Sequence, residues 1–246
     1  MIAKLFCIVS FSGLFVQNAT ALVGRTEAAG QAARHTVMVL KRQSGGASFC
    51  SGVIIAPRVI LTAAHCVRGA RGIAVYLPGP GQPKLHIARR IAVHPGYVAN
   101  AIKLRKRSVD LALVQSGEAL PQSLSPAIIG QYMDVKAGAT FRIAGFGLQR
   151  EGVESSAGTL RAAKLIVRPP LSDVLLWLRP LTGTASGACT GDSGGPVFTA
   201  DSSALVAITV WARGKGKKRC GELTQAVRVA PQRSWINTVL AKWAGR

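Results

Sequence analysis

Six consecutive residues, Gly191-Asp192-Ser193-Gly194-Gly195-Pro196, carry the clearest chemistry in the chain. A serine hydroxyl is a weak nucleophile at neutral pH and needs a base to take its proton. Glycines around it let the backbone turn sharply and bring N–H groups close to a reacting carbonyl. A base is available in His65, within Leu61-Thr62-Ala63-Ala64-His65-Cys66, where the adjacent cysteine can anchor it. The acid Asp110 opens the apolar run Asp110-Leu111-Ala112-Leu113-Val114. It could merely cap a turn. Partly buried, it could instead orient an imidazole. Nucleophile, base and orienting acid together are the ingredients of nucleophilic catalysis.

The elements that must hold these residues read as strands. Short β-prone runs recur with turn residues between them: Thr36 to Leu40, Val53 to Ile55, Val59 to Thr62, Ile73 to Leu77, Ile87 to Val93 and Leu111 to Val114. After a loop-like middle come Thr140 to Ala144, Lys164 to Val167, Pro196 to Thr199 and Leu205 to Trp211. Such spacing predicts an all-β sandwich or barrel. No repeating pattern of helices between strands supports a doubly wound sheet. The chain end differs: Trp235, Ile236, Val239, Leu240 and Trp243 lie on one face of a helix, with Pro231 near its start. Pro78-Gly79-Pro80-Gly81 reads as a loop, and Glu118 to Pro126 as a linker between two halves.

The first residues have the layout of an export signal. Lys4 gives a positive start, Leu5 to Val16 is mostly apolar, and Ala19-Thr20-Ala21 is a small-residue cleavage site. The apolar run is shorter than the roughly 20 residues a membrane span needs, and no later stretch reaches that length. Cys7 would leave with the signal. Cys50, Cys66, Cys189 and Cys220 would remain, an even set that suggests two disulfides in an exported protein. Four cysteines allow three pairings, and spacing does not choose among them. Apart from the adjacent His65-Cys66, no cluster of zinc type is present, so no metal site is expected. With 31 Lys+Arg against 10 Asp+Glu, the formal charge is +21. Such a surface attracts anionic surfaces and polymers. No zinc finger, helix-turn-helix or aromatic RNA-binding motif makes nucleic acid a specific ligand.

The three segments around His65, Asp110 and Ser193 resemble the motifs of the chymotrypsin/trypsin family of serine peptidases, in that family's His…Asp…Ser order. Val93-His94-Pro95, Ala144-Gly145-Phe146-Gly147 and the stretch from Val210-Trp211 onward extend the resemblance. It implies two packed antiparallel β-barrels of chymotrypsin type with a C-terminal α-helix and the site in the cleft between them. The expected layout is a signal peptide over 1–21, a first barrel over 22–125 and a second over 126–246. It implies that Ser193 attacks a peptide carbonyl, His65 moves the proton and Asp110 holds the imidazole. The N–H groups of Gly191 and Ser193 would form the oxyanion hole.

Further residues follow from the same resemblance. Cys50 would pair with Cys66, and Cys189 with Cys220. A further bridge common in the second barrel has no cysteines here, so the loop from Pro169 to Gly187 should be less constrained. Cleavage after Ala21 would expose Leu22-Val23-Gly24-Arg25, whose terminal ammonium would pair with Asp192. Gly187 would lie at the base of the specificity pocket, with Trp211, Ala212 and Thr224 around it. Gly187 is not an acid that would bind Lys or Arg, and Ala212 and Thr224 exceed glycine in size. Small apolar P1 residues such as Ala or Val are therefore expected. Val210 stands where the family usually has a serine whose hydroxyl lies near the triad acid, which puts the support of Asp110 in question.

Two basic runs, Lys103 to Arg107 in an expected loop and Arg213 to Arg219, have solvated surface as their plain reading. The second would sit near the cleft and favour acidic substrate residues. The expected partners are protein or peptide substrates, with anionic surfaces or polymers beside them. A monomer without cofactor, secreted or periplasmic, is expected. The alternative is a catalytically weak cationic binding protein on the same fold.

Overall fold

The computed structural model describes residues 22–77, 82–131, 135–181 and 186–245. The signal peptide and its cleavage site, and the loop at Pro78-Gly79-Pro80-Gly81, lie outside the described residues. Among the described residues, no helix is long and apolar enough to cross a membrane.

Alternation of inward apolar and outward polar residues builds the first half. Strand β1 (Glu27–Ala28) comes first and belongs elsewhere. The barrel strands are β2 (Thr36–Gln43), β3 (Gly46–Ala56), β4 (Val59–Thr62), β5 (Gly72–Leu77), β6 (Lys84–Val93) and β7 (Ala112–Ser116), closed in the order β2-β3-β4-β7-β6-β5. Strand β5 shows the principle: Ile73, Val75 and Leu77 point in and are buried, while the residues between them are only half-buried. They meet Val37, Val39, Ile54, Ile60 and Val114 in the barrel interior. Two short helices interrupt the strands, α1 (Ala64–Val67) and α2 (Ala101–Leu104).

The second half comprises β8 (Thr140–Gly145), β9 (Arg161–Arg168), β10 (Leu175–Pro180), β11 (Pro196–Thr199), β12 (Leu205–Arg213) and β13 (Leu223–Arg228). They run β9-β10-β13-β12-β11-β8, and β8 pairs back onto β9 to close the ring. All pairings are antiparallel. The interior holds Phe141, Ile143, Leu165, Val167, Leu176, Leu178 and Val197, and Leu22 is buried with them. The chain is thus an all-β protein of two six-stranded antiparallel barrels, as expected.

A third apolar cluster joins the halves. Leu61, Val109, Leu111 and Leu113 of the first barrel share it with Phe198, Leu205, Ile208 and Val227 of the second. Burying each large side chain contributes about 1.5–3 kcal/mol. The ends of the chain reinforce the joint. Strand β1 pairs with β9 of the second barrel. The terminal helix α3 (Arg233–Ala244) buries Ile236 and Trp243. Its Trp235 meets His94 edge-on at 4.7 Å, and Arg90 of β6 donates to the Trp243 carbonyl at 3.4 Å. The apolar face read at the chain end therefore packs onto the opposite half.

Two expectations are corrected. The segment from Pro169 to Gly187 is not simply a loose loop. It contains β10, hydrogen-bonded between β9 and β13. The basic run at Lys103 to Arg107 begins inside α2 rather than in a loop, and Arg105 ends that helix in a left-handed conformation.

Candidate active site

His65 is held from three sides. It lies in α1, directly after β4. Lys41 of β2 donates through Nζ to the carbonyls of His65 at 3.2 Å and Arg68 at 2.7 Å, satisfying acceptors at the end of this short helix. Cys66 is bonded to Cys50 of β3. Asp110 sits between buried Val109 and Leu111. Its Oδ1 accepts the His65 backbone N–H at 2.9 Å, and its Oδ2 lies 2.7 Å from His65 Nδ1. A carboxylate oxygen accepts, so Nδ1–H donates and Nε2 keeps a free lone pair. Nε2 lies 3.6 Å from Cys66 Sγ, which is itself 3.8 Å from the Ser193 carbonyl oxygen. His65, Asp110 and Ser193 line one cleft. A hydrogen bond from Ser193 Oγ to Nε2 is not among those formed by the described residues. Catalytic hydrogen bonds are often loose before substrate binds.

The Ser193 loop is fixed by backbone contacts. Gly191 and Gly194 have φ of +95° and +82°, a region costly for residues with a Cβ. A Cβ on Gly194 would also strike the Ser51 carbonyl and Thr62 Oγ1. Ser51 of β3 clamps the loop, donating through N–H to the Ser193 carbonyl at 2.8 Å and through Oγ to the Gly191 carbonyl at 2.9 Å. The N–H groups of Asp192, Gly194 and Gly195 donate to Cys189, Thr209 and Asp192 carbonyls. Among the described residues, the N–H groups of Gly191 and Ser193 donate to no protein acceptor. These are the two expected at the oxyanion hole. Ser51 went unread in the sequence, where nothing beyond its place after Cys50 marks it.

Asp192 is fully buried. Its Oδ1 accepts from Gly147 N–H at 2.8 Å and its Oδ2 from Cys189 N–H at 2.9 Å. Burial dominates these two bonds and pushes its pKa up to about 7. Leu22 is buried, and Val23 exchanges backbone hydrogen bonds of 3.2 Å with Gly187. The Cys189–Cys220 disulfide ties the nucleophile segment to the stretch before β13.

Residues 22–236 match the family described as Trypsin. The chain belongs to the trypsin family. It is 30% identical over 225 residues to serine protease 56 of Mus musculus, covering 80% of this chain and 35% of that protein. It is 29% identical over 164 residues to a chymotrypsin of Phaedon cochleariae, covering 60% of this chain and 58% of that one. The aligned part thus spans about a third and somewhat over half of these relatives. Among solved structures, that of GrC has the same fold, with a TM-score of 0.72 at 20% identity over 89% of this chain and 98% of the other.

The trypsin-family cleft here holds about 750 Å³, within the usual range for ligand sites. Trp211 and Ala212 line it together with Val210 and the Cys189–Cys220 disulfide. The expected pocket residues Gly187 and Thr224 are not among its lining residues. Thr224 is 1% exposed, and its Oγ1 accepts the Ala188 N–H at 3.0 Å. A Cβ on Gly187 would come within 3.1 Å of that Oγ1. Thr224 pairs with Ala212 across β12 and β13. Val210 is nearly buried on the cleft wall and carries no donor for Asp110.

Several cleft residues escaped the sequence reading. Leu175, Trp177 and Gln225 come from β10 and β13, strands it did not contain. Tyr97 lies two residues past His94-Pro95, the only signal available. Its burial, then the nearby Asp110 charge, raise the phenol pKa, with the Arg68 guanidinium opposing. Cys50, His65 and Cys66 bring three ligand-type atoms within 4.8 Å of one another. Both sulfurs are committed to a disulfide and offer no thiolate to a metal.

Proposed function

We propose that this chain is an exported serine endopeptidase that works through His65, Asp110 and Ser193. Ser193 Oγ attacks the peptide carbonyl carbon while its proton passes to His65 Nε2. The oxyanion is received by the N–H groups of Gly191 and Ser193, each such donor worth about 10²–10³ in rate. The C–N bond breaks, and His65 returns the proton to the leaving amine. Water then hydrolyses the acyl-enzyme by the same route. Asp110 keeps the imidazole tautomer throughout. The observation that carries this reading is the paired grip of Asp110 on His65, which leaves Nε2 free in the cleft that Ser193 lines.

Ala212 on the cleft wall and Thr224 paired with it, both larger than glycine, favour small apolar P1 residues such as Ala or Val. One methylene discriminates by only about 1–3 kcal/mol, so the preference is graded. Removal of residues 1–21 would free the Leu22 ammonium, which would pair with buried Asp192 and order the oxyanion loop. The two disulfides and the family fit a secreted or periplasmic destination.

The test compares protein beginning at Leu22 with its Ser193→Ala variant on short chromogenic peptides that differ only at P1. Cleavage by the unaltered protein alone, best after Ala or Val, is expected. Efficient cleavage after Arg or Phe with poor cleavage after Ala would overturn the pocket reading. No cleavage of any peptide would favour a second reading, a cationic binding protein on this fold. Val210, which leaves Asp110 without a hydroxyl donor at that position, speaks for that alternative.

A further inference from the structure

The cleft that holds His65, Asp110 and Ser193 is walled by cations. Lys103, Arg105 and Lys106, from α2 and the residues after it, line one side. Arg219, before Cys220, lines the other with Trp211 and Ala212. Three cations of the first basic run thus share one site with a single cation of the second, Arg219, while Arg213, Lys215, Lys217 and Lys218 do not line it. The carboxylates close by are few. Asp110 is engaged with His65. Glu151 accepts the backbone N–H of Arg219 at 2.8 Å. Glu222 lies 3.4 Å from Arg179. Among the described residues, no carboxylate forms an ion pair with the side chains of Lys103, Arg105, Lys106 or Arg219. All four side chains are exposed, and their place around one cleft, rather than their lack of partners, sets them apart from the other surface cations. They set up a positive field where a substrate must lie, and low-dielectric walls focus such a field.

We infer that these four side chains select extended peptides with acidic residues flanking the scissile bond. Successive side chains of an extended strand point to opposite sides. Neighbouring Asp or Glu residues can thus answer the Lys103–Lys106 wall and the Arg219 wall at once. This inference rests on the peptidase reading for its enzymatic form. In that reading Ala212 governs P1, whereas the basic side chains govern the positions around it. Exposed ion pairs contribute about 0.2–1 kcal/mol each. Two acidic residues should therefore raise kcat/KM about 2- to 30-fold at low salt, mainly through a lower KM.

The experiment uses internally quenched peptides with Ala at P1 and either Asp/Glu or Ser/Gln at the flanking positions. It compares protein beginning at Leu22, a Lys103→Glu/Lys106→Glu/Arg219→Glu variant, and a Lys84→Glu/Arg89→Glu variant whose sites do not line the cleft. The acidic-to-neutral ratio of kcat/KM should be at least about 2 at low ionic strength. It should approach 1 in 1 M salt, where the screening length is about 3 Å, and fall below 1 in the cleft variant. A ratio of 1 at low salt, or equal loss in both charge-reversed variants, overturns the inference. Anisotropy of a labelled acidic peptide on Ser193→Ala protein separates the two claims. If no peptide is cleaved, salt-sensitive binding that the cleft variant alone loses would keep the cationic site while removing the peptidase. Binding of a sulfated oligosaccharide but not of the acidic peptide would overturn the assignment of peptides.

Discussion

The Ser193 loop and the Lys215–Arg219 loop, which reaches the same cleft through Arg219, are held in opposite ways. The first is locked into both barrels. Ser51 bonds it from β3, Thr209 from β12, and its glycines leave no room for a Cβ. The second hangs on a Lys218 N–H to Lys215 carbonyl bond and on Arg219 to exposed Glu151. Its Gly216 has φ of +62°, but a Cβ there would meet nothing within 4 Å. The contrast separates two tasks. Chemistry needs groups fixed to a fraction of an ångström, whereas choice among substrates by charge works over longer distances through exposed side chains.

Substitutions should reproduce that contrast in graded steps. The largest effect is expected from Ser193→Ala, which should lower kcat/KM by at least about 10⁴ in peptide hydrolysis without unfolding the chain. Next, Gly194→Ala combines a disfavoured φ with a clash against backbone and should cost about 4 kcal/mol in denaturant unfolding. Gly216→Ala meets only the backbone penalty, about 1 kcal/mol. Equal losses at the two glycines would erase the distinction between the loops.

Asp192 sharpens the same point through pH. In the chain that retains residues 1–21, its folded pKa is raised from 3.8 to about 7 by burial. Below the ordinary value both states are protonated and burial costs nothing. Between about 4 and 7 the unfolded chain releases the proton and the folded one keeps it. Stability should therefore fall as pH rises through that window and level off above 7, by a few kcal/mol at 1.36 kcal/mol per unit. Protein beginning at Leu22 should lose this fall, because a paired ammonium keeps the carboxylate ionised. Identical pH profiles for the two lengths, measured by chemical denaturation, would contradict the pairing. The smallest effect is expected from Val210→Ser. A hydroxyl beside Asp110 should raise kcat about 2- to 3-fold, the low end of the roughly 0.5–1.5 kcal/mol that one hydrogen bond is worth.

Legibility in the sequence follows a physical divide. Strands with one buried face, such as β5 with Ile73, Val75 and Leu77, announce themselves by alternation. Strand β13 is buried throughout and carries Thr224, Gln225 and Arg228, so neither alternation nor apolar content marks it. Strand β10 follows Pro169-Pro170 and Ser172-Asp173, turn signals that hid it. The residues around His65, Asp110 and Ser193 were readable because their chemistry dictates residue type. The rear of the pocket was not. That Thr224 turns its hydroxyl to the Ala188 N–H and is absent from the cleft lining depends on a contact far away in sequence. The convergence of Lys103 and Arg219 likewise depends on how two barrels face each other, which no local pattern encodes.

The central claim is that Ser193 is a nucleophile activated by His65. The most direct measurement treats protein beginning at Leu22 with a fluorophosphonate and locates the adduct by peptide mapping. A single adduct on Ser193, absent in Ser193→Ala and formed at least about 100-fold more slowly in His65→Ala, is the expected result. An unlabelled Ser193, or labelling that ignores the loss of His65, would contradict the account.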